Sequence, residues 1–308
     1  MAGKGWLGGS LVLASAVAFG FLPIFARLAY SGGAGTWGLL FVRFSTAFVL
    51  LGAILAARGG LRVPSRGRLA TLILLGAAGY FLQSSLYFTA LLYAPVSVVA
   101  LILYTYPVFV TAASFSLGLE KPSARLLATL AAAMLGIVLV ADPVMEGSAT
   151  GILLALGASM VYTSYIIISS RVLRDVSGEL STFYVVGGAS VSFLVAGSIT
   201  GGLSLGWGQD AWVWAILIAV IPTVLALTFF FKGLAIVGPT RASILSTAEI
   251  VTSVAAASAI FGEVLTPLQA LGGAIIIAAS LLAAIQGKKQ TERIRSTDRE
   301  RPSRNRNG

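Results

Sequence analysis

The chain has 308 residues, of which 57% are hydrophobic and only 10% charged, and its formal net charge is +10. A soluble domain carries about 25% charged residues, so this composition, with a mean hydropathy of +0.93, excludes an ordinary soluble protein. The absence of cysteine and histidine excludes disulfides, Cys-His and Ser-His-Asp catalysis and the usual zinc sites. We therefore expect an integral membrane protein that is not an enzyme and needs no metal or other cofactor.

The apolar residues fall into ten blocks, each long enough to cross a bilayer as a helix. A hydrocarbon core about 30 Å thick needs about 20 helical residues. Glycine, proline and acidic residues between the blocks are typical of short connectors, so consecutive helices are expected to be antiparallel. The predicted spans are 7–29, 36–57, 69–91, 96–118, 124–141, 151–170, 180–200, 211–231, 238–260 and 266–286.

The first span is too long for a cleaved signal peptide, and nine more spans follow it. Lys and Arg gather in alternate connectors, from Lys4 and Arg58 onward, whereas the opposite connectors hold acidic residues such as Asp210. By the positive-inside rule, both termini are expected in the cytoplasm. The Gly- and Ala-rich composition, with Arg in excess over Lys, is typical of GC-rich bacteria, which predicts the bacterial inner membrane.

The positive net charge does not indicate a nucleic-acid partner, because of where the charges lie. Eight basic residues fall between Lys288 and Arg306, and most of the others stand at the ends of apolar blocks. We expect 287–308 to be a disordered basic tail near anionic lipid headgroups. The predicted partners are therefore the lipid bilayer and a small-molecule substrate.

The two halves of the chain resemble each other at an offset of about 143 residues. The stretch 91–95 before span four matches 236–239 before span nine, and Glu120 corresponds to Glu263. Five spans per half is an odd number, so the second half enters the membrane inverted, as in many secondary transporters. We predict an all-α membrane fold of ten helices in two inverted five-helix repeats, 1–143 and 144–286, around a central cavity.

Short motifs in this order resemble those of the drug/metabolite transporter superfamily, in its ten-helix EamA-type branch. They are Arg43-Phe44, Leu92-Tyr93-Ala94-Pro95, Tyr106-Pro107-Val108 and Gly118-Leu119-Glu120. This resemblance covers the chain up to about residue 286, and within the superfamily the chain is most similar to the bacterial aromatic amino acid exporters. The resemblance implies export of aromatic and other neutral amino acids by alternating access. Glu249-Ile250-Val251 departs from the family's usual Glu-Pro-Val, so a bend in span nine matching that of span four is not expected.

Four ionisable residues within spans require an explanation, and they are Glu249, Arg43, Arg27 and Arg241. Glu249 lies near the middle of span nine, where a charge costs about 3 kcal/mol or more unless it faces protein or water. In the functional interpretation, it contacts a substrate amine or exchanges a proton. In the structural interpretation, it is a protonated or Arg-paired carboxyl that fixes helix packing. Arg43 in span two is interpreted as interfacial or carbonyl-capping rather than as a carboxylate ligand. Arg27, like Arg241, is nearer a span end and is expected to snorkel or to cap carbonyls.

Polar residues at helical spacing indicate helix faces turned toward a cavity. Hydroxyls and amides can bond an ammonium or a carboxylate, and aromatic rings can stack on aromatic cargo. The competing interpretation is that Ser and Thr hold helices together and Tyr anchors at the interface. The predicted substrate-binding residues are Phe19, Tyr80, Gln83, Tyr87, Tyr104, Ser159, Tyr162, Thr163, Ser243, Ser246 and Glu249.

Three prolines, Pro23, Pro107 and Pro222, fall inside spans one, four and eight. Each removes a backbone hydrogen bond, so each is either a candidate hinge or a static kink. Glycine pairs such as Gly187-Gly188 and Gly272-Gly273 are expected to allow close helix packing instead.

The sequence has no phosphate-binding G-x-x-x-x-G-K-S/T motif, which excludes ATP-driven pumping by this chain alone; no ATPase subunit is indicated. Transport is therefore expected to use a proton or metabolite gradient, or to be passive. The alternative within transport is an exporter of cationic drugs or other metabolites. A membrane enzyme is disfavoured because the chain lacks His, Cys and clustered intramembrane carboxylates.

Overall fold

Ten helical spans cross the molecule, and they lie where the apolar blocks predict them. The computed structural model describes residues 3–90, 93–94, 96–141, 148–173, 175–262 and 264–299. Each span is apolar enough to cross a membrane and contains 18 to 29 residues. The spans are Gly5–Ser31, Thr36–Ala57, Arg66–Tyr87, Val98–Ser116, Ala124–Ala141, Ala149–Val172, Gly178–Ile199, Gln209–Val237, Pro239–Phe261 and Pro267–Ile285.

Several spans are built from more than one helical piece. Two π-helical segments interrupt them: the first π segment is Leu75–Tyr80, in span three, and the second is Val220–Leu225, in span eight. The α-helices of the described residues are α1 (Gly3–Gly20), α2 (Leu22–Ser31), α3 (Thr36–Ala57), α4 (Arg66–Leu74), α5 (Phe81–Ala90), α6 (Val96–Leu103), α7 (Tyr106–Ser116), α8 (Ala124–Ala141), α9 (Ala149–Val172), α10 (Gly178–Ile199), α11 (Gln209–Ala219), α12 (Ala226–Val237), α13 (Pro239–Ser246), α14 (Ala248–Phe261) and α15 (Pro267–Arg299).

Because successive spans alternate in direction, the connectors lie on two opposite faces. We call the face that carries the N-terminus the proximal face and the other one the distal face. On the proximal face, an Arg68 guanidinium nitrogen lies 2.6 Å from a carboxylate oxygen of Asp175. On the distal face, the N–H of Gly208 donates to the carbonyl of Gly32 at 3.1 Å. Each contact joins a connector or span end of the first five spans to one of the last five.

Spans four and nine are broken at corresponding places. The break in span four comes at Thr105 and the break in span nine at Thr247. In each case the threonine hydroxyl donates to the carbonyl three residues earlier, that of Ile102 at 2.6 Å and that of Ile244 at 2.7 Å. Span nine is therefore interrupted at the place that corresponds to the break in span four, although Ile250 stands where a proline is usual. A threonine turn, and not a proline, marks the interruption in span nine.

Glycines allow helices from the two halves to cross closely. A Cβ added to Gly136 in α8 would lie 2.8 Å from the carbonyl oxygen of Gly272 in α15, and one added to Gly272 would lie 2.7 Å from that of Gly136. Gly76 and Gly188 similarly bring spans three and seven together, each against the other span's backbone. Such small-residue contacts are a common basis of helix association in membranes.

The last helix is longer than expected. α15 continues through Arg299, which differs over 287–299 from the predicted disordered tail. This stretch is rich in the helix-forming Lys, Gln, Glu and Arg, and no proline occurs between Pro267 and Pro302. Some predictions concern residues outside the described ranges, and so does the 143/144 repeat boundary. These residues are 91–92, Pro95, Asp142, Pro143, Glu146, Arg174, Glu263 and 300–308.

Candidate functional site

A cavity of about 560 Å³ lies between the two halves of the chain. This volume is within the range of roughly 300–1,000 Å³ typical of small-molecule sites. Spans one, two, three, four, six, eight and nine form its wall. The lining residues are Phe19, Leu22, Pro23, Ala26, Arg27, Tyr30, Leu39, Leu40, Arg43, Tyr80, Gln83, Ser84, Tyr87, Leu103, Tyr104, Tyr106, Tyr162, Tyr165, Ile218, Leu227, Glu249 and Ser253.

The cavity opens toward one face only. Its exposed lining residues are Pro23, Arg27 and Tyr30, and all three belong to α2, the distal half of span one. At the opposite end, Tyr106 and Leu227 are only 1% and 2% exposed. The cavity therefore opens beside α2 and is closed toward the proximal face.

A carboxylate joins the two halves on the proximal face. Oε1 of Glu120, in the connector after α7, accepts a hydrogen bond of 3.1 Å from the N–H of Thr240, the second residue of α13. N–H groups in the first turn lack helical acceptors, and the helix dipole favours an anion there. Burial raises the pKa of the Glu120 carboxyl, opposed by the Thr240 N–H and the Arg241 charge. Glu120 thus caps a helix of the other half.

The break in span nine brings Glu249 to the cavity wall. Glu249 is the second residue of α14, so its carboxyl lies in the first turn of a helix, where the dipole favours negative charge. The Tyr104 side chain hydrogen-bonds to this carboxyl, and the charge of Arg43 interacts with it electrostatically without a direct contact. No group of three acidic residues that could hold a metal ion occurs within the described ranges.

Five tyrosines form a row of rings between Glu249 and Arg43, which we call the tyrosine row. Tyr165, one of them, is buried, and its hydroxyl has no hydrogen-bond partner in the described part of the chain. A buried hydroxyl normally has a partner, so this one is an unsatisfied polar group in the wall of the cavity. Consecutive ring centroids in the row Tyr104, Tyr106, Tyr162, Tyr165, Tyr80 lie 6.2, 4.7, 6.0 and 5.8 Å apart.

Arg43 lies deep in the cavity wall and is only 3% exposed. Its Nε donates to Oγ1 of Thr223 at 2.7 Å, and its Nη2 donates to the hydroxyl of Tyr80 at 3.2 Å. The guanidinium carbon lies 4.8 Å from the ring centroid of Phe44. Arg43 is thus neither interfacial nor carbonyl-capping, contrary to the interpretation from sequence, because both acceptors are buried side-chain hydroxyls.

The structure brings most of the predicted substrate-binding residues together. Phe19, Tyr80, Gln83, Tyr87, Tyr104, Tyr162 and Glu249 line the cavity. Their binding of substrate remains a prediction.

The other four predicted residues, Ser159, Thr163, Ser243 and Ser246, are buried and do not line the cavity. The last three donate their hydroxyl hydrogens to carbonyls of their own helix, three or four residues earlier. The hydroxyl of Ser159 lies 3.2 Å from that of Thr105 at the break in span four. Local bonds of this kind use the polar capacity of Ser and Thr without exposing it.

All three candidate hinge prolines lie at interruptions of their spans. Pro23 is the second residue of α2, after the break at Phe21, and Pro107 is the second residue of α7. Pro222 lies in the second π segment. Whether these positions move stays a prediction.

The sequence also contained a signal for two lining residues that are not among the predicted substrate-binding residues. Arg27 and Arg43 are the two basic residues that fall outside the predicted cytoplasmic segments. Both line the cavity, Arg27 with its guanidinium carbon 4.2 Å from the ring centroid of Phe261. Apolar lining residues such as Leu39 and Ile218 carry no such signal, because they look like any other lipid- or core-facing residue.

Comparisons with known proteins agree on the class of protein. The sequence profile of the EamA-like transporter family matches this chain twice, over residues 6–141 and 149–285. An uncharacterized transporter of Archaeoglobus fulgidus is 29% identical over 281 residues, which cover 90% of this chain and 96% of that relative. A solved crystal structure that is 18% identical covers 92% of this chain and 98% of its own, with a TM-score of 0.78, which shows a common fold.

Proposed function

The chain belongs to the EamA-like transporter family of multi-pass membrane proteins, and from this premise we propose that it exports neutral amino acids, aromatic ones foremost, across the bacterial inner membrane. One observation carries the proposal. A single cavity holds a carboxyl, Glu249, and a buried guanidinium, Arg43, at opposite ends of the tyrosine row. An amino acid with an aromatic side chain carries the complementary charges and the complementary ring.

Glu249 is the proposed ligand of the substrate ammonium group. Its charge acts on four surrounding tyrosines, Tyr87, Tyr104, Tyr106 and Tyr162. The faces of these rings attract a cation, and rings also pack edge to face against an aromatic side chain. The tyrosine row therefore supports both parts of an aromatic amino acid next to one carboxyl.

The one-sided cavity supports alternating access. With both termini in the cytoplasm, the distal face is periplasmic, and the observed cavity corresponds to the state that releases substrate. Loading from the cytoplasm requires the proximal side to open, which breaks the contact between Glu120 and Thr240. A proton carried by Glu249 or the substrate gradient itself would drive the cycle.

Export of organic cations is the rival within transport, since Glu249 and the tyrosines suit a cationic ligand as well. The same wall carries the positive charges of Arg27 and Arg43. A ligand that has only positive charge is repelled by both, whereas a zwitterion is not. The wall as a whole therefore favours the amino acid.

Counterflow in proteoliposomes tests the proposal. Vesicles containing purified protein are loaded with unlabelled phenylalanine, and a trace of radiolabelled phenylalanine is added outside, with a pH gradient imposed or collapsed. We expect label to accumulate above the level of empty vesicles, and tryptophan, threonine and alanine in the loading solution to drive it to different extents. Tetraphenylphosphonium, an organic cation, is added as a competitor.

Each result has a defined meaning. Accumulation that responds to the pH gradient indicates proton coupling, and accumulation that does not indicates exchange or facilitation. Counterflow of a labelled, membrane-impermeant organic cation, without counterflow of any amino acid, would replace the amino acid with a cationic substrate. The absence of all counterflow from folded protein would contradict the substrate class.

A further inference from the structure

The two π segments, which come from opposite halves of the chain, meet at one buried arginine. We propose that Arg43 is the binding site for the substrate carboxylate and that Thr223 is its positioning residue. This inference rests on the proposed function and specifies which residue receives the carboxylate. It follows from the two hydrogen bonds that hold the guanidinium and from the lack of an ion-pair partner for it among the described residues.

The second π segment supplies an acceptor for Arg43. Thr223 is 1% exposed, and its hydroxyl donates to the carbonyl of Ile218, five residues earlier, at 2.8 Å. A π turn widens the helix by one residue and changes which carbonyls lie within reach, and such turns recur at functional sites. Because the hydroxyl hydrogen is used there, the oxygen lone pairs face Nε of Arg43, 2.7 Å away.

The first π segment holds the same guanidinium from the other half. Tyr80 is its last residue, and the Tyr80 hydroxyl accepts from Nη2 of Arg43 at 3.2 Å. The Tyr80 ring is fixed in turn by an edge-to-face contact with Phe44, at 5.0 Å between centroids. Two acceptors at different nitrogens fix both the position and the plane of the guanidinium.

The charge of Arg43 has no partner of opposite sign in contact with it. Both of its hydrogen bonds go to neutral hydroxyls, and no carboxylate among the described residues forms an ion pair with it. A buried charge is costly unless it is paired. A guanidinium has more N–H groups than these two bonds use, and its planar fork matches a carboxylate. An anionic group in the cavity therefore gains both a counter-charge and fixed donors.

Arg27 is the other cation of the cavity, and its position suits this role less well. It lies on α2 at the opening, is exposed, and stacks over the ring of Phe261 at 4.2 Å. Solvent weakens the attraction of an exposed charge for a ligand. The fully buried Arg43 retains that attraction.

The test removes the positioning residue and asks whether recognition of the carboxylate is lost. Thr223→Val removes the acceptor and keeps the shape, and Thr223→Ser keeps the acceptor. Thr228→Val is the matched control, because Thr228 is a buried hydroxyl of the same span whose bond goes to Thr182 and not to the cavity. Inhibition of labelled phenylalanine counterflow is measured with unlabelled phenylalanine and with phenylalaninamide, which keeps the ring and ammonium group but lacks the carboxylate.

We expect wild type and Thr228→Val to prefer phenylalanine to the amide, and Thr223→Val to lose that preference by about tenfold. Thr223→Ser restores it. An unchanged preference in Thr223→Val, or a failure of serine to restore it, would overturn the assignment. If Thr223→Val does not fold, Tyr80→Phe decides in the same way, since it removes the other acceptor. A wild-type protein with no counterflow of any amino acid would instead sink the proposed function, and this assignment with it.

Discussion

At the scale of single residues, the position of a few charges decides how the cavity works. Most basic residues of the chain stand at the ends of spans, where water and headgroups solvate them. Glu249 and Arg43 do not: both line one cavity, and they form no direct ion pair with each other within the described residues. A fixed pair of separated charges is suited to a zwitterion, because neither protein charge neutralises the other by direct contact.

We predict that Glu249→Gln lowers phenylalanine counterflow by at least about tenfold, because a hydrogen bond to a charged group is worth about 1.5–3 kcal/mol. The variant keeps the side-chain volume, so it should fold normally, and any response to a pH gradient should disappear. Glu179→Gln is the control, since Glu179 pairs with Lys232 and does not line the cavity. Normal transport by Glu249→Gln would favour the helix-packing interpretation instead.

At the scale of helices, interruptions place the functional side chains. The turn at Thr247 starts α14 beside Glu249, the break before α7 sets Tyr106, and the π segments carry Tyr80 and Thr223. An unbroken helix would turn these side chains by a different angle. The interruptions recur in corresponding spans of both halves, except that span one breaks at Phe21 whereas span six is the continuous α9.

The cap that Glu120 gives to α13 predicts a pH-dependent stability. Burial raises the pKa of Glu120 above its ordinary value of 4.5, so the folded protein binds the proton more readily than the unfolded chain does. Stability is therefore expected to fall as pH rises from about 4.5 through the raised pKa. Glu120→Gln, which retains an acceptor for the Thr240 N–H, should remove this dependence.

Thermal unfolding in detergent between pH 4 and 8 measures the effect. Glu120→Ala loses the cap as well and should be less stable at every pH, by about 0.5–2 kcal/mol. Asp175→Asn on the same face should change little, because its ion pair with Arg68 is exposed. A wild-type profile identical to that of Glu120→Gln would show that burial of this carboxyl has no energetic consequence.

At the scale of the whole molecule, the one-sided cavity predicts one-sided access. The chain contains no cysteine, so a single introduced thiol is the sole maleimide target within this protein. We predict that Ser253→Cys, in the cavity wall, reacts with a membrane-impermeant maleimide added to intact cells, and that excess phenylalanine slows the reaction. Ser280→Cys, buried in α15 and away from the cavity, should stay unmodified.

The sidedness of labelling checks both the orientation and the state. Reaction of Ser253→Cys only in inside-out vesicles would mean that the cavity opens to the cytoplasm, which contradicts the proposed orientation or the proposed resting state. Labelling a cysteine in the tail, such as Gly308→Cys, separates these two explanations. That residue should react only from the cytoplasmic side if the positive-inside assignment holds.

The sequence by itself determined the membrane class, the ten spans, the family and seven of the cavity-lining residues, among them Glu249. Long apolar blocks are a one-dimensional property, because each helix must satisfy its own backbone in lipid wherever its neighbours lie. Only the tertiary structure decided which polar side chains face the cavity.

Tyr104 and Ser246 are both polar residues within apolar spans, yet the first lines the cavity and the second bonds to its own helix. The sequence indicated an interfacial Arg43, whereas in the structure its guanidinium donates to the hydroxyl of Thr223, 180 positions away. The physical reason is that the direction of a side chain depends on the rotation of its helix and on partners from the other half of the chain. Local π turns and breaks change that rotation. Prolines mark three of them in the sequence, but the first π segment and the break at Thr247 contain none.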